Sequence, residues 1–104
     1  MLRKDENIGP LTGVRVLDLT INVLGPVATQ ILGDLGAEVI KVETPSGDPM
    51  RLIGSSKTGM LGPFFQTTNR NKKSVVLDLK KIEEKNALLK IAGGCDVFVH
   101  NMRQ

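Results

Sequence analysis

Val14-Arg15-Val16-Leu17-Asp18-Leu19-Thr20 leads through Gly25-Pro26 into Val27-Ala28-Thr29-Gln30-Ile31-Leu32-Gly33-Asp34-Leu35-Gly36, and then into Glu38-Val39-Ile40-Lys41-Val42-Glu43. The first run is apolar apart from Arg15 and Asp18, which suits a strand buried on both faces of a parallel sheet. Proline at a first helical position lacks only an N–H that would be unpaired there anyway. The apolar residues Val27, Ala28, Ile31, Leu32 and Leu35 recur at helical spacing and predict the buried face, with Thr29, Gln30 and Asp34 on the other. Gly36 is suited to end the helix in the left-handed region, and Glu38 to Val42 forms a second strand. Strand, helix and parallel strand make one right-handed βαβ unit. Ligands in such sheets gather outside the strands' carboxyl ends. The loop Thr20 to Gly25 and the segment after Glu43 are therefore the places to look, although Gly25-Pro26 is equally read as a plain helix start.

The rest of the chain extends this pattern. Thr44-Pro45-Ser46-Gly47-Asp48-Pro49 continues neither strand nor helix. Met50 to Gly62 reads as loop, with Leu52, Ile53 and Met60 as anchors, and Pro63 to Thr68 as a short helix burying Phe64 or Phe65. Asn69-Arg70-Asn71-Lys72-Lys73 is open to two readings, a phosphate-facing cluster or a solvated turn. Ser74 to Leu79 is a third strand. A helix follows, opened by Lys80 and Lys81, with Ile82, Leu88, Leu89, Ile91 and Ala92 on its apolar side and Glu83 and Glu84 in its first turn. Gly93-Gly94 ends it, and Val97-Phe98-Val99 is a fourth strand. All four strands read as buried on both faces, yet just two clear helices are present to cover them. The expected fold is α/β, a Rossmann-like doubly wound and mostly parallel sheet.

Composition narrows the function. The 104 residues carry a net charge of +3, with 40% hydrophobic and 24% charged residues, an ordinary globular balance. No apolar run approaches the roughly 20 residues of a membrane helix, and the start Met1 to Glu6 has no apolar signal region. Cys95 is the single cysteine, read as a small residue packed at a helix-to-strand turn and consistent with a reducing, cytoplasmic setting. A pI of about 9.2 suits an anionic small molecule. With no Trp or Tyr there are few platforms for stacking nucleic-acid bases. No G-x-G-x-x-G or Walker A pattern occurs, which disfavours a dinucleotide domain. One Cys and one His offer no metal set, and His100 past the fourth strand has no partner that would make it a base. No catalytic residue is assigned.

Gly13-Val14-Arg15-Val16-Leu17-Asp18-Leu19-Thr20, Gly25-Pro26, Ala28-Thr29-Gln30 and Leu35 to Glu43 resemble the opening of the class III CoA-transferases, the group of formyl-CoA transferase, carnitine CoA-transferases and α-methylacyl-CoA racemase. Gly47-Asp48-Pro49 with Arg51, Asn69 to Ser74, Leu77-Asp78-Leu79-Lys80, and Asp96 to Val99 with Asn101 continue the likeness in order, from about Pro10 to Gln104. The resemblance implies residues 1–104 as an incomplete N-terminal α/β segment of a CoA-transferase domain, and a complete protein that is a homodimer of interlocked rings. It implies transfer of CoA between an acyl-CoA and a carboxylic acid, through an Asp nucleophile in a downstream Gly-Tyr-Asp setting that this chain lacks. It further implies CoA binding by Val23, Leu24, Leu77, Asp78, Lys80, Asn101, Met102 and Arg103, with Lys80 either facing phosphate or simply exposed at a helix start. Val23 stands where formyl-CoA transferases have Gln, which argues against the formyl-CoA and oxalate pair. Thr44, His100 and Met102 stand where relatives often have Arg, Glu, and Phe or Tyr. The alternative is a non-catalytic CoA- or nucleotide-binding or assembly module derived from the same fold.

Overall fold

A computed structural model describes residues 8–54 and 62–103. Its elements are β1 (Arg15–Asp18), α1 (Leu24–Asp34), β2 (Glu38–Glu43), a 3-10 turn (Pro49–Leu52), α2 (Pro63–Thr68), β3 (Lys72–Val76), α3 (Ile82–Gly93) and β4 (Val97–Val99). The four strands form one all-parallel sheet in the order β3-β2-β1-β4. The chain therefore winds from β1 outward to β3 and returns to the far side of β1, the reversal that defines a doubly wound fold. The βαβ unit stands as expected, and Gly36 ends α1 at φ +107°. A Cβ on Gly36 would lie 2.8 Å from the Gly9 nitrogen, so space and conformation both demand glycine. The third strand begins two residues before its expected start and ends at Val76, although the Leu77 N–H still bonds the Glu43 carbonyl. Met60 lies outside the described residues, while Leu52 and Ile53 are exposed rather than anchoring.

The two faces of the sheet differ chemically. On one, Leu17, Leu19, Val42 and Leu77 pack with Ala87, Leu88, Ile91, Ala92 and Cys95, which places α3 and its following turn against them. On the other, Val16, Val39 and Ala37 pack with Leu11, Val14 and Leu32 of the α1 side. Towards the carboxyl ends this second face turns polar, because alternation along β1 and β2 brings Asp18, Thr20, Lys41 and Glu43 to it, all buried.

That polarity inverts α1. Its buried residues are Pro26, Thr29, Gln30 and Gly33, whereas Leu24, Ile31 and Leu35 are exposed. The expectation that Val27, Ala28, Ile31, Leu32 and Leu35 face the core is thus overturned, with only Leu32 packed in the cluster there. The Thr29 hydroxyl donates to Asp18 Oδ2 at 2.7 Å, and the Gln30 amide donates to the Thr67 carbonyl of α2. A buried carboxylate needs donors, and the polar stripe of α1 supplies one. Pro26 also occupies the third helical position, since the helix opens at Leu24. Thr29→Val is expected to cost about 1–3 kcal/mol, because Asp18 loses a buried donor. Ile31→Ser should change stability by no more than about 0.5 kcal/mol. Urea denaturation of both variants checks this, and the opposite ranking would restore the apolar-inward helix.

Two further expectations give way. β3 and β4 are not buried on both faces, since Val76, Val97 and Phe98 are exposed. Among the described residues they are the sheet's edge strands, each paired on one side only. Within α3, Ile82 and Leu89 point outward, and no residue of that helix is fully buried.

Candidate functional site

A cleft of about 400 Å³ opens at the carboxyl ends of the strands, within the size range of small-molecule sites. Leu19 and Ile21 come to it from the chain just after β1, Val42 and Glu43 from the end of β2, Leu77 and Leu79 from just after β3, and Asn101 and Met102 from just after β4. The turn Thr44–Pro49 closes one side through Thr44, Ser46, Gly47, Asp48 and Pro49. Both regions marked from the βαβ unit, the loop after Thr20 and the segment after Glu43, reach this cleft.

Of the residues expected to hold CoA, the cleft brings together Leu77, Asn101 and Met102. The others flank it. Val23 precedes α1 and Leu24 opens it, both exposed, next to Ile21. Asp78 is half-buried and accepts the Lys80 N–H at 3.1 Å. The Lys80 side chain is exposed and without a partner among the described residues, and Arg103 is exposed beyond Met102. Ile21 and Asp48, which lie in the two regions marked from the βαβ unit, and Leu19 and Leu79 line the cleft in addition to the residues expected to hold CoA. Period-2 alternation links Leu77 to Leu79 and Leu19 to Ile21, and was the signal available for them.

The cleft's two carboxylates are engaged in structure. Arg51 holds Glu43 by two parallel bonds, Nε to Oε2 at 2.8 Å and an Nη to Oε1 at 2.7 Å, and the Asp48 N–H adds a third at 2.8 Å. Burial favours the neutral Glu43, but these donors and the Arg51 charge outweigh it and lower its pKa below the ordinary value. The Arg51 guanidinium also lies 3.9 Å from the centre of the Phe65 ring. Asp48 Oδ2 takes Lys41 Nζ at 2.7 Å, and its Oδ1 takes the N–H groups of Asn22 and Met50. Carboxylates held in this way shape a binding wall rather than move protons.

The segment Asn69 to Lys73 is neither a free phosphate cluster nor a wholly solvated turn. The Lys72 side chain is buried, its Nζ 3.0 Å from Asp18, and it donates to Asn69 Oδ1, which also accepts from Lys41. Arg70 pairs with Asp34, and Lys73 with Glu38. His100 accepts the Met102 N–H on Nδ1 and lies 5.6 Å from the Phe98 ring. Cys95 is half-buried, and burial pushes its thiol upward in pKa. Among the described residues, no group of three or more His, Cys, Asp or Glu is placed to hold a metal, and no helix is long and apolar enough to cross a membrane.

A parallel doubly wound sheet with an apolar cleft at its strand ends places the chain among the doubly wound α/β proteins. Residues 11–104 match the model of CoA-transferase family III, and the chain belongs to that family. It is 48% identical over 97 residues to a human succinyl-CoA:glutarate CoA-transferase, covering 92% of this chain and 22% of that protein. It is 49% identical over 96 residues to a Mycobacterium tuberculosis protein named as a probable fatty acyl-CoA transferase, covering 90% and 24%. The crystal structure of a CAIB/BAIF family protein from Brucella suis superposes with a TM-score of 0.84 at 35% identity, over 90% of this chain and 26% of that one. The chain thus spans about a quarter of the length of these relatives.

Proposed function

We propose that residues 1–104 form an amino-terminal, CoA-holding segment of an enzyme that moves CoA between an acyl-CoA thioester and a carboxylic acid. One observation carries this reading. Leu77, Asn101 and Met102 converge on one largely apolar cleft at the strand ends, where open α/β sheets take their ligands. Val23, Leu24, Asp78, Lys80 and Arg103 border it and contact the parts of CoA that extend beyond the cleft, with the exposed Lys80 ammonium facing phosphate. The nucleophile is an Asp outside these residues. Its carboxylate attacks the thioester carbonyl and expels CoA thiolate, leaving a mixed anhydride. The thiolate then attacks the aspartyl carbonyl of that anhydride, releasing the donor acid and leaving an aspartyl-CoA thioester for the acceptor carboxylate. The complete protein is a cytoplasmic homodimer. Succinyl-CoA, named for the human relative, is the first acyl-CoA to assay.

Calorimetry of this chain against CoA and against NAD tests the assignment. CoA is expected to bind weakly but more tightly than NAD, and the reverse order would remove CoA as the ligand. Lys80→Ala should weaken CoA binding about threefold to fivefold, the size of one exposed ion contact, and make it less salt-sensitive.

A further inference from the structure

The loop between β1 and α1 is held along its backbone by side chains from four places in the fold. Thr20 donates its N–H to Asp18 Oδ1 at 2.8 Å, and its carbonyl accepts from Lys41 Nζ at 3.2 Å. Ile21 donates its N–H to Asn101 Oδ1 at 3.1 Å, and its carbonyl accepts from Asn101 Nδ2 at 2.8 Å. Asn22 donates its N–H to Asp48 Oδ1 at 3.2 Å. Every one of these backbone groups is held by a side chain. The side chains come from the end of β1, the middle of β2, the turn after β2 and the segment after β4. Asn22 sits at φ +72°, a left-handed conformation that costs energy outside glycine and persists where the surroundings fix it. Gly25 completes the fit, since a Cβ there would lie 2.6 Å from the Thr20 Cβ and 3.2 Å from Asn101 Nδ2.

We infer that Asn101 and Asp48 are positioning residues, which clamp Ile21 and Asn22 respectively so that the loop and the first turn of α1 meet the acyl-CoA in one preset shape. This rests on the CoA reading of the cleft and gives Asn101 a role other than direct ligand contact. Its carboxamide pairs with both polar groups of Ile21, as a neighbouring strand would. Asp48 is backed by Lys41, which also holds Thr20, so the residues before and after Ile21 are tied to the same buried ion pair. Ordering the loop in advance removes a cost that ligand binding would otherwise bear.

Hydrogen exchange read amide by amide, together with CoA calorimetry on the same chain, tests the inference. Asn101→Ala should speed exchange at Ile21 at least tenfold, leave the α3 amides unchanged and weaken CoA binding at least fivefold. Asp48→Asn should speed exchange at Asn22. Should that buried change prevent folding, Asn101→Ala at the exposed rim still gives the answer. Met102→Ala, in the cleft wall but without a side-chain bond to the loop, should weaken CoA binding with Ile21 exchange unaltered. Lost affinity in Asn101→Ala with unaltered Ile21 exchange would make Asn101 a direct ligand contact and overturn the inference. Faster exchange with unaltered affinity would overturn it too. If the parent chain binds no CoA, the CoA reading falls, and the exchange result alone decides whether the clamp exists.

Discussion

Asp18→Ala is expected to lower the stability of the domain by about 3–5 kcal/mol, the usual cost of breaking a buried ion pair by removing one partner. Asp18 is fully buried and meets Lys72 Nζ at 3.0 Å, Thr29 Oγ1 at 2.7 Å, and both the N–H and the hydroxyl of Thr20. Its removal takes the acceptor from both donors of Thr20 and leaves the buried Lys72 ammonium without its carboxylate, holding only the Pro26 carbonyl and Asn69 Oδ1. For a domain whose total stability is of order 5–15 kcal/mol, that is a large share. Asp18→Asn keeps the shape but turns an amide towards Lys72, so its cost should be smaller than that of alanine. Urea denaturation measures both, and a loss below about 1 kcal/mol for Asp18→Ala would show that the pair does not hold the fold. The same site sets a pH dependence. Burial alone would raise the Asp18 pKa, but the bonds from Thr20 and Thr29 and the Lys72 charge bring it below the ordinary value. A carboxylate depressed on folding contributes fully above its unfolded pKa of about 3.9. The contribution is lost as pH falls through the lower folded value. Glu43 is shifted in the same direction. Stability should therefore begin to fall below about pH 4, and Asp18→Asn should flatten that acid limb.

Leu17→Ala should cost about 2–5 kcal/mol, against less than about 1 kcal/mol for Leu89→Ala on the outside of α3. Leu17 is fully buried in the middle of β1, within the cluster that joins Leu19, Val42 and Leu77 to Leu88, Ile91 and Ala92. Truncating it removes apolar contact and leaves a cavity between a central strand and its covering helix. Leu89, 61% exposed, has little to lose. Thermal melts of the two variants give the comparison, and equal losses would mean that α3 is rotated from the orientation described.

The amino-acid sequence by itself determined the βαβ framework and the alternation of strands and helices. Short apolar runs such as Val14 to Leu19 and Val97 to Val99, bounded by turn residues, favour strands, and Gly36 ends α1 by taking the left-handed conformation. The ordered motifs also determined the family, since they run through most of the chain. The βαβ pattern also pointed to the strand ends, where open parallel sheets take their ligands, and the cleft opens there.

Three features were decided only by the tertiary structure. The first is the facing of α1. Periodicity shows which residues of a helix share a side but not which side meets the sheet, and Asp18 and Lys41, aligned in register on one face, drew Thr29 inward in place of Ile31. The second is the fate of the cations. Lys72 and Arg70 lie two residues apart, yet one is buried against Asp18 and the other pairs at the surface with Asp34, because the partners come from β1 and α1. The third is the clamp on Ile21, where Asn101 stands 80 residues away in sequence. Local propensity extends over a few neighbours. A carboxylate, an ammonium or a carboxamide finds its partner only when the sheet brings distant strands side by side, and the cost of leaving it unpaired in the interior then fixes which faces turn inward.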